Sequence, residues 1–242
     1  MNQNQTKTAT FQKLIIKLKQ FWQAQGCIIV EPYDMKIGAG TFHPETFFRV
    51  IGKQEWQVAH TQLSRRPADG RYGKNPNRLQ KFHQFQVLLK PAPANIQELY
   101  IQSLAELGVD FKNHDLRFIE DNWQSPTLGA AGYGWEVWLD SLEISQFTYF
   151  QKIGGVNCSV ISVELAYGLE RLAMYLQQKD NVYDLIWGET KAKQITYGDL
   201  FIKSEQDLSK YNFEYAKITE LKKLFDSYTE QATNLLISPY AA

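Results

Sequence analysis

Trp56-Gln-Val-Ala-His-Thr-Gln-Leu-Ser-Arg65 and Phe82-His-Gln-Phe-Gln-Val-Leu-Leu89 are two β-prone runs, and the chain between them is built to bend. Pro67, Asp69, Gly70, Gly73, Asn75, Pro76 and Asn77 break any regular element there. The spacing predicts an antiparallel pair whose long tip carries Arg65, Arg66, Arg71, Lys74 and Arg78. Guanidinium groups match phosphate oxygens through paired hydrogen bonds, so such a tip can clamp a triphosphate; a solvated basic turn is the alternative. On the return strand, Phe85 offers an aromatic face for a base. Gln84 and Gln86 point together to the opposite face, where a purely structural apolar strand has little use for two amides.

Outward from this hairpin, Phe11, Leu14, Ile15, Leu18, Phe21 and Trp22 recur at helical spacing, with Gly26 where a left-handed cap belongs. Cys27 to Val30 reads as a short edge strand ending at Glu31-Pro32. Asn95 and Glu98 suggest a capping box for a helix that stops at Gly108. Leu116 to Glu120 reads as a strand, Gly129 to Gly134 as a glycine-rich link, and Leu142 to Phe150 as another strand. Gly154-Gly155 turns the chain towards a strand at Ser159 to Val163. A helix then carries Leu165, Leu169, Leu172 and Leu176 on one face, with Glu164, Gly168 and Arg171 on a different one. The last helix, Tyr215 to Leu236, spaces its apolar residues like a packing seam. This order implies an α+β fold, with a main domain over residues 1–195 and a C-terminal helical segment over 196–242.

Composition narrows the function. Lys+Arg and Asp+Glu both number 26 in 242 residues, so no bulk field draws in a polyanion. The first ten residues lack the apolar stretch of a signal peptide, and no later run reaches the length of a membrane span, which points to the cytoplasm. Cys27 and Cys158 stand outside any metal or disulfide spacing, and His43, His60, His83 and His114 show no ligand pattern. The glycine-rich phosphate loops, the GxSxG elbow and HExxH are absent.

Two further constellations carry chemistry. Trp135, Glu136, Trp138, Asp140 and Glu143, followed by Gln146, place carboxylates among large aromatics, the makings of a small pocket that favours an ammonium group and excludes bulk. On an ideal strand Glu143 and Ser145 share a face, and Gln146 joins them only if a bulge intervenes. Gly168-Leu-Glu-Arg171 opens a helix with a charged pair.

In order along the chain, Gly38-Ala-Gly-Thr41-Phe-His-Pro44, Ser64-Arg-Arg-Pro67, Asn75-Pro-Asn-Arg-Leu-Gln80, Gln84-Phe-Gln86, Gly134-Trp-Glu-Val-Trp-Leu-Asp140, Gln146-Phe-Thr-Tyr-Phe150 and Tyr167-Gly-Leu-Glu-Arg171 resemble the alpha subunit of the bacterial heterotetrameric glycyl-tRNA synthetase, a class II aminoacyl-tRNA synthetase. The resemblance runs from about Phe11 to Tyr215. It implies an antiparallel sheet flanked by helices, a homodimer element in the first helix and strand, and a partner beta subunit. It also implies ATP and glycine reacting to glycyl-adenylate, with transfer to the 3' end of tRNA(Gly). By the same resemblance Arg65 faces the alpha-phosphate, Arg78 the distal phosphates, Arg171 is the motif 3 arginine, and Glu143 holds ATP or its Mg2+. Arg65, Glu143 and Arg171 are then the catalytic set. Arg66, Gln84, Phe85 and Gln86 complete the ATP site, and Trp135, Glu136 and Gln146 form the glycine site. Two other readings stay open: a stand-alone class II paralogue with a non-tRNA acceptor, and a non-catalytic nucleotide-sensing subunit.

The sequence departs from the family pattern at His60-Thr-Gln-Leu63, where relatives tend to have Tyr-Val-Gln-Pro, at Ala131 in place of Trp, and at Ser141 in place of Gly. These departures are expected near the site. Relatives also continue through further helices beyond the position of Ala242, so an abbreviated C-terminal segment is expected.

Overall fold

The computed structural model describes residues 9–238. Helix α1 (Phe11–Ala24) starts at Thr10, whose hydroxyl accepts from Lys13 N, and ends before Gly26 at φ 93°. Its buried stripe of Phe11, Leu14, Leu18 and Trp22 lies on a large sheet. The strands are β1 (Ile28–Ile29), β2 (Trp56–Arg65), β3 (Lys81–Lys90), β4 (Leu116–Ser125), β5 (Ala130–Leu139), β6 (Leu142–Ile153), β7 (Val156–Asn157) and β8 (Val163–Gly168). Their order is β1-β2-β3-β8-β6-β5-β4, with β7 folded back on β6; every pairing is antiparallel except the short parallel edge β1–β2.

Register fixes what each face carries. β2 and β3 pair without interruption from Trp56 opposite Lys90 to Arg65 opposite Lys81. Residues directly opposite share a face, so Thr61, Phe85, Leu165, Tyr167, Phe147 and Trp135 lie together against α1, α3 (Ile96–Leu107) and α4 (Leu169–Gln177). His60, Gln62, Ser64, Phe82, Gln84, Gln86, Glu164, Ala166, Gly168 and Gln146 line the other face. There a smaller core of Val50, Val58, Leu88, Leu128, Phe150 and Ile153 is capped by α2 (Pro44–Ile51).

Several expectations change. The glycine-rich link is the first half of β5: a Cβ on Gly132 would meet Tyr149 O at 2.5 Å and one on Gly134 Phe147 O at 2.1 Å, so close strand approach is what needs glycine. Glu164 and Leu165 belong to strand β8, and the helix begins only at Leu169. Asn95 occupies the N-cap of α3 without a side-chain cap bond. Two unforeseen helices carry strong starts. In α2, His43 Nδ1 accepts from Glu45 N and Pro44 follows; in α5 (Tyr197–Lys210), Thr196 and Asp199 form a reciprocal capping box.

The small hairpin β9 (Ile186–Glu189) and β10 (Gln194–Thr196) leads directly into α5, whose Tyr197 is fully buried in the main core. The main body therefore runs through α5 and past residue 195. The final helix α6 (Ile218–Leu236) is exposed along its whole length, including Ile218, Leu221, Phe225 and Tyr228, so its apolar residues form no seam within the chain. Among the described residues, no helix is long and apolar enough to cross a membrane.

Candidate active site

A cavity of about 480 Å³ opens where the tip of β2–β3 meets the start of α4. Strand alternation decides which tip residues enter it. Phe82 and Gln84 line the cavity, whereas Phe85, one step between Gln84 and Gln86, is fully buried on the helix-covered face, edge-on to Tyr167. Phe85 therefore cannot offer a face to a base. Phe82 is the aromatic ring that lines the cavity.

Arg65 is corrected for the same reason. It stands opposite Lys81 on the face away from the cavity, and its charge, after burial, helps lower the Lys81 pKa. Arg66, just past the strand, turns into the cavity: its Nε donates to Gly38 O at 3.1 Å and its guanidinium lies 5.0 Å from the Phe82 ring centre. Arg78 lines the same wall, with Nε and Nη2 donating to Asp69 Oδ1 at 3.1 and 2.7 Å. Arg71 instead folds onto the turn's own carbonyls of Ala68 and Gly70.

The opposite wall depends on a β-bulge. Val137 pairs with Ser145 and Trp138 with Glu143, leaving Ile144 without an opposite residue. The extra residue brings Glu143 and Gln146 into one cavity. Arg171, in the first turn of α4, donates from Nη1 to Glu143 O at 2.8 Å and Glu143 Oε2 at 2.9 Å. Its neighbour Glu170 is buried, and Oε1 accepts from His83 N and Tyr197 Oη, each at 2.8 Å. The helix start that presents Arg171 is thus tied to β3 and α5.

Gln146 donates to Asp121 Oδ2 at 2.7 Å, and Glu136, opposite Gln146, accepts from Trp138 Nε1 at 2.9 Å. Trp135 points the other way, edge-on to Phe147 and Tyr149, and has no part in this pocket.

Beside the cavity, beneath the turn at residues 40–42, lies a buried polar seat. Gln84 Oε1 accepts from Gly40 N at 3.2 Å and Ser64 Oγ at 2.6 Å. Gln86 sits deeper, so close under Gly40 that a Cβ there would fall 2.6 Å from its side chain. Both Gln86 amide atoms lack a hydrogen-bond partner, as does Glu164 Oε1. Glu164 Oε2 accepts from Thr41 Oγ1 at 2.8 Å. Burial pushes the Glu164 carboxyl up to about 7, against the Thr41 hydroxyl and the nearby Gln86 amide, which lower it. A buried carboxylate with an unbonded oxygen is costly unless a hydrogen-bond donor or a cation meets it.

Sequence reasoning missed Thr41, Asp121, Phe82 and Glu164 as site residues. Glu164 had a signal: it is the one charge in the run Val163-Glu-Leu-Ala-Tyr167, visible only once that run is read as a strand.

Of the departures from the family pattern, only His60 faces the seat's side of the sheet. It is fully buried, 4.2 Å from the His43 ring, and burial with His43 lowers its pKa to about 3. Leu63 lies on the core face opposite His83, Ala131 at the far end of β5 between Gln124 and Lys152, and Ser141 in the β5–β6 turn. Among the described residues, no cluster of three or more His, Cys, Asp or Glu is arranged to hold a metal.

The fold is similar to the structure of PylSc from Desulfitobacterium hafniense, a pyrrolysyl tRNA synthetase, with a TM-score of 0.52 at 13% identity, covering 79% of this chain and 75% of that one. A crystal structure of pyrrolysyl-tRNA synthetase from the same organism gives 0.48 at 12% identity, covering 77% and 76%. The architecture is that of a class II aminoacyl-tRNA synthetase, an antiparallel sheet flanked by helices. Within it, the β2–β3 hairpin and the α4 arginine face each other across one cavity. Residues 11–241 match the family described as glycyl-tRNA synthetase alpha subunit, and since that match spans almost all of the sequence, the chain belongs to the glycyl-tRNA synthetase alpha subunit family.

Proposed function

We propose that this chain is the catalytic alpha subunit of a glycine–tRNA ligase, activating glycine with ATP and passing it to the 3' end of tRNA(Gly). The observation that carries the reading is the convergence of Arg66, Arg78 and Arg171 on a cavity beside a buried, partly unpaired carboxylate, Glu164. Cations match a polyphosphate, and the lone acid matches an ammonium group.

In this reading Phe82 stacks on the base, Arg66 faces the alpha-phosphate, and Arg78 and Arg171 hold the distal phosphates. Glycine's ammonium docks on Glu164, Thr41 and Gln86. Its carboxylate, ionised at neutral pH, attacks the alpha-phosphorus; the bond to the bridging oxygen breaks and pyrophosphate leaves. No general base is needed, since the nucleophile carries no proton. The arginines neutralise charge that develops on phosphate oxygens. Mg2+ enters with ATP as substrate, and Glu143, half-exposed at the cavity wall, is the carboxylate available to it. The close fit of Gly40 over Gln86 supports selection by size, since a small pocket rejects larger side chains sterically.

A beta subunit, tRNA(Gly), a second copy of this chain and a cytoplasmic setting belong to the same proposal. Trapping the activated amino acid with hydroxylamine tests it. Glycine, Mg-ATP and this chain with its beta subunit should give glycine hydroxamate and AMP in equal amounts. ATP binding without any glycine-dependent AMP would favour a nucleotide-sensing subunit instead.

A further inference from the structure

The cationic loop between β2 and β3 is held mainly by the C-terminal helices. Gln80, buried at its base, makes four hydrogen bonds to them. Its N donates to Glu205 Oε1 at 2.9 Å, its Nε2 to Glu205 O and Ser209 Oγ, each at 3.2 Å, and its Oε1 accepts from Asn212 Nδ2 at 2.8 Å. Further along the loop, Tyr72 N donates to Ser209 Oγ at 3.0 Å. Gly70 packs so tightly that a Cβ would lie 2.9 Å from Ser209 Oγ and 3.1 Å from Phe213.

Glu205 is 4% exposed and Ser209 fully buried, a costly arrangement unless both are bonded. Both are. Gln80 lies two residues from Arg78 and two from Phe82, so its position sets where the guanidinium and the ring enter the cavity. Asn212 stands in a π-helical turn, Tyr211–Tyr215, that follows α5 and precedes α6. Such turns are rare and occur frequently at functional sites.

We propose that Gln80, gripped by Glu205, Ser209 and Asn212, is a positioning residue of the nucleotide site, so that α5 and the following turn are working parts of ATP binding. The inference rests on the nucleotide assignment above and adds residues that never touch the nucleotide. It also gives displacement of the segment after residue 210 a direct route to the phosphate-binding loop.

Titration of the full-length chain with Mg-ATP alone, by calorimetry, tests it without requiring turnover. Gln80→Ala, Glu205→Ala and Asn212→Ala should each weaken ATP binding about tenfold, roughly the effect of one well-placed hydrogen bond. Glu205→Gln, which keeps an acceptor for Gln80 N, should bind within about twofold of the parent. In exchange kinetics KM for ATP should rise while KM for glycine stays unchanged. Unchanged ATP affinity in folded Asn212→Ala, the most exposed of the three, would overturn the proposal. So would equal rises in both KM values, which mark general loosening. A parent chain that binds ATP but never activates glycine would defeat the proposed function and leave this test standing.

Discussion

Arg171 reaches Glu143 twice, donating from Nη1 to its main-chain carbonyl at 2.8 Å and its carboxylate at 2.9 Å. The double contact joins the first turn of α4 to the bulged start of β6 and aims both charges into one cavity. Arg171→Ala should lower glycine-dependent activation at least about a hundredfold by removing a fixed cation from the developing charge. The pair is more than a third exposed on each side, so stability should change by less than about 1 kcal/mol. Steady-state exchange kinetics with a denaturant titration checks both halves.

Adjacent arginines separate the two faces of the hairpin. Arg66→Ala should raise KM for ATP tenfold or more, on the order of 1.4 kcal/mol, whereas Arg65→Ala should leave it within about twofold. The reverse ranking would mean that the loop carries nucleotide on the face now covered by helices.

Neighbouring aromatics make the same division in another measurement. Phe82→Ala should weaken ATP binding with little loss of stability. Phe85→Ala, deleting a fully buried ring beside Tyr167, should cost about 3–5 kcal/mol in unfolding free energy.

What the sequence made legible, and what it hid, follows from these pairs. The hairpin was plain because breakers from Pro67 to Asn77 interrupt two β-prone runs, and α1 was plain because its apolar stripe ends at Gly26. Period two sets Gln84 and Gln86 opposite Phe85 but does not say which face the helices cover, and that face holds both Phe85 and Arg65, the arginine that the resemblance sets at the alpha-phosphate. Gln146 joined Glu143 only through a bulge at Ile144, a register event that no local propensity records. Glu164 was hidden by a leucine spacing that also fits a helix. Trp135 and Glu136, consecutive on a strand, had to part company; they were grouped by composition.

With glycine seated on Glu164 as proposed, its binding should depend on pH. Its folded-state value of about 7 exceeds the ordinary 4.5, so between those values the unfolded chain releases a proton that the folded chain keeps. Stability of the ligand-free protein from this group is complete below about pH 4.5 and is lost as pH rises through 7, by on the order of 3 kcal/mol at most. An ammonium ligand reverses the balance by favouring the carboxylate. The thermal shift produced by glycine should therefore be larger at pH 8 than at pH 6, and Glu164→Gln should abolish both the shift and its pH dependence.

The β5–β6 turn stores strain that one substitution removes. Asp140 and Ser141 sit at φ 47° and 69°, the pair of positive values that a two-residue hairpin turn demands. Ser141→Gly should raise stability by about 1 kcal/mol, as read by the denaturant midpoint, without altering KM for either substrate.

The central claim, that this cavity joins glycine to AMP, is tested most directly by ATP–pyrophosphate exchange on the chain with its beta subunit. Rapid exchange with glycine, far slower exchange with alanine or serine, and loss of the signal in Arg66→Ala and Arg171→Ala are the results predicted. No glycine-dependent exchange from a folded complex that binds Mg-ATP would contradict it.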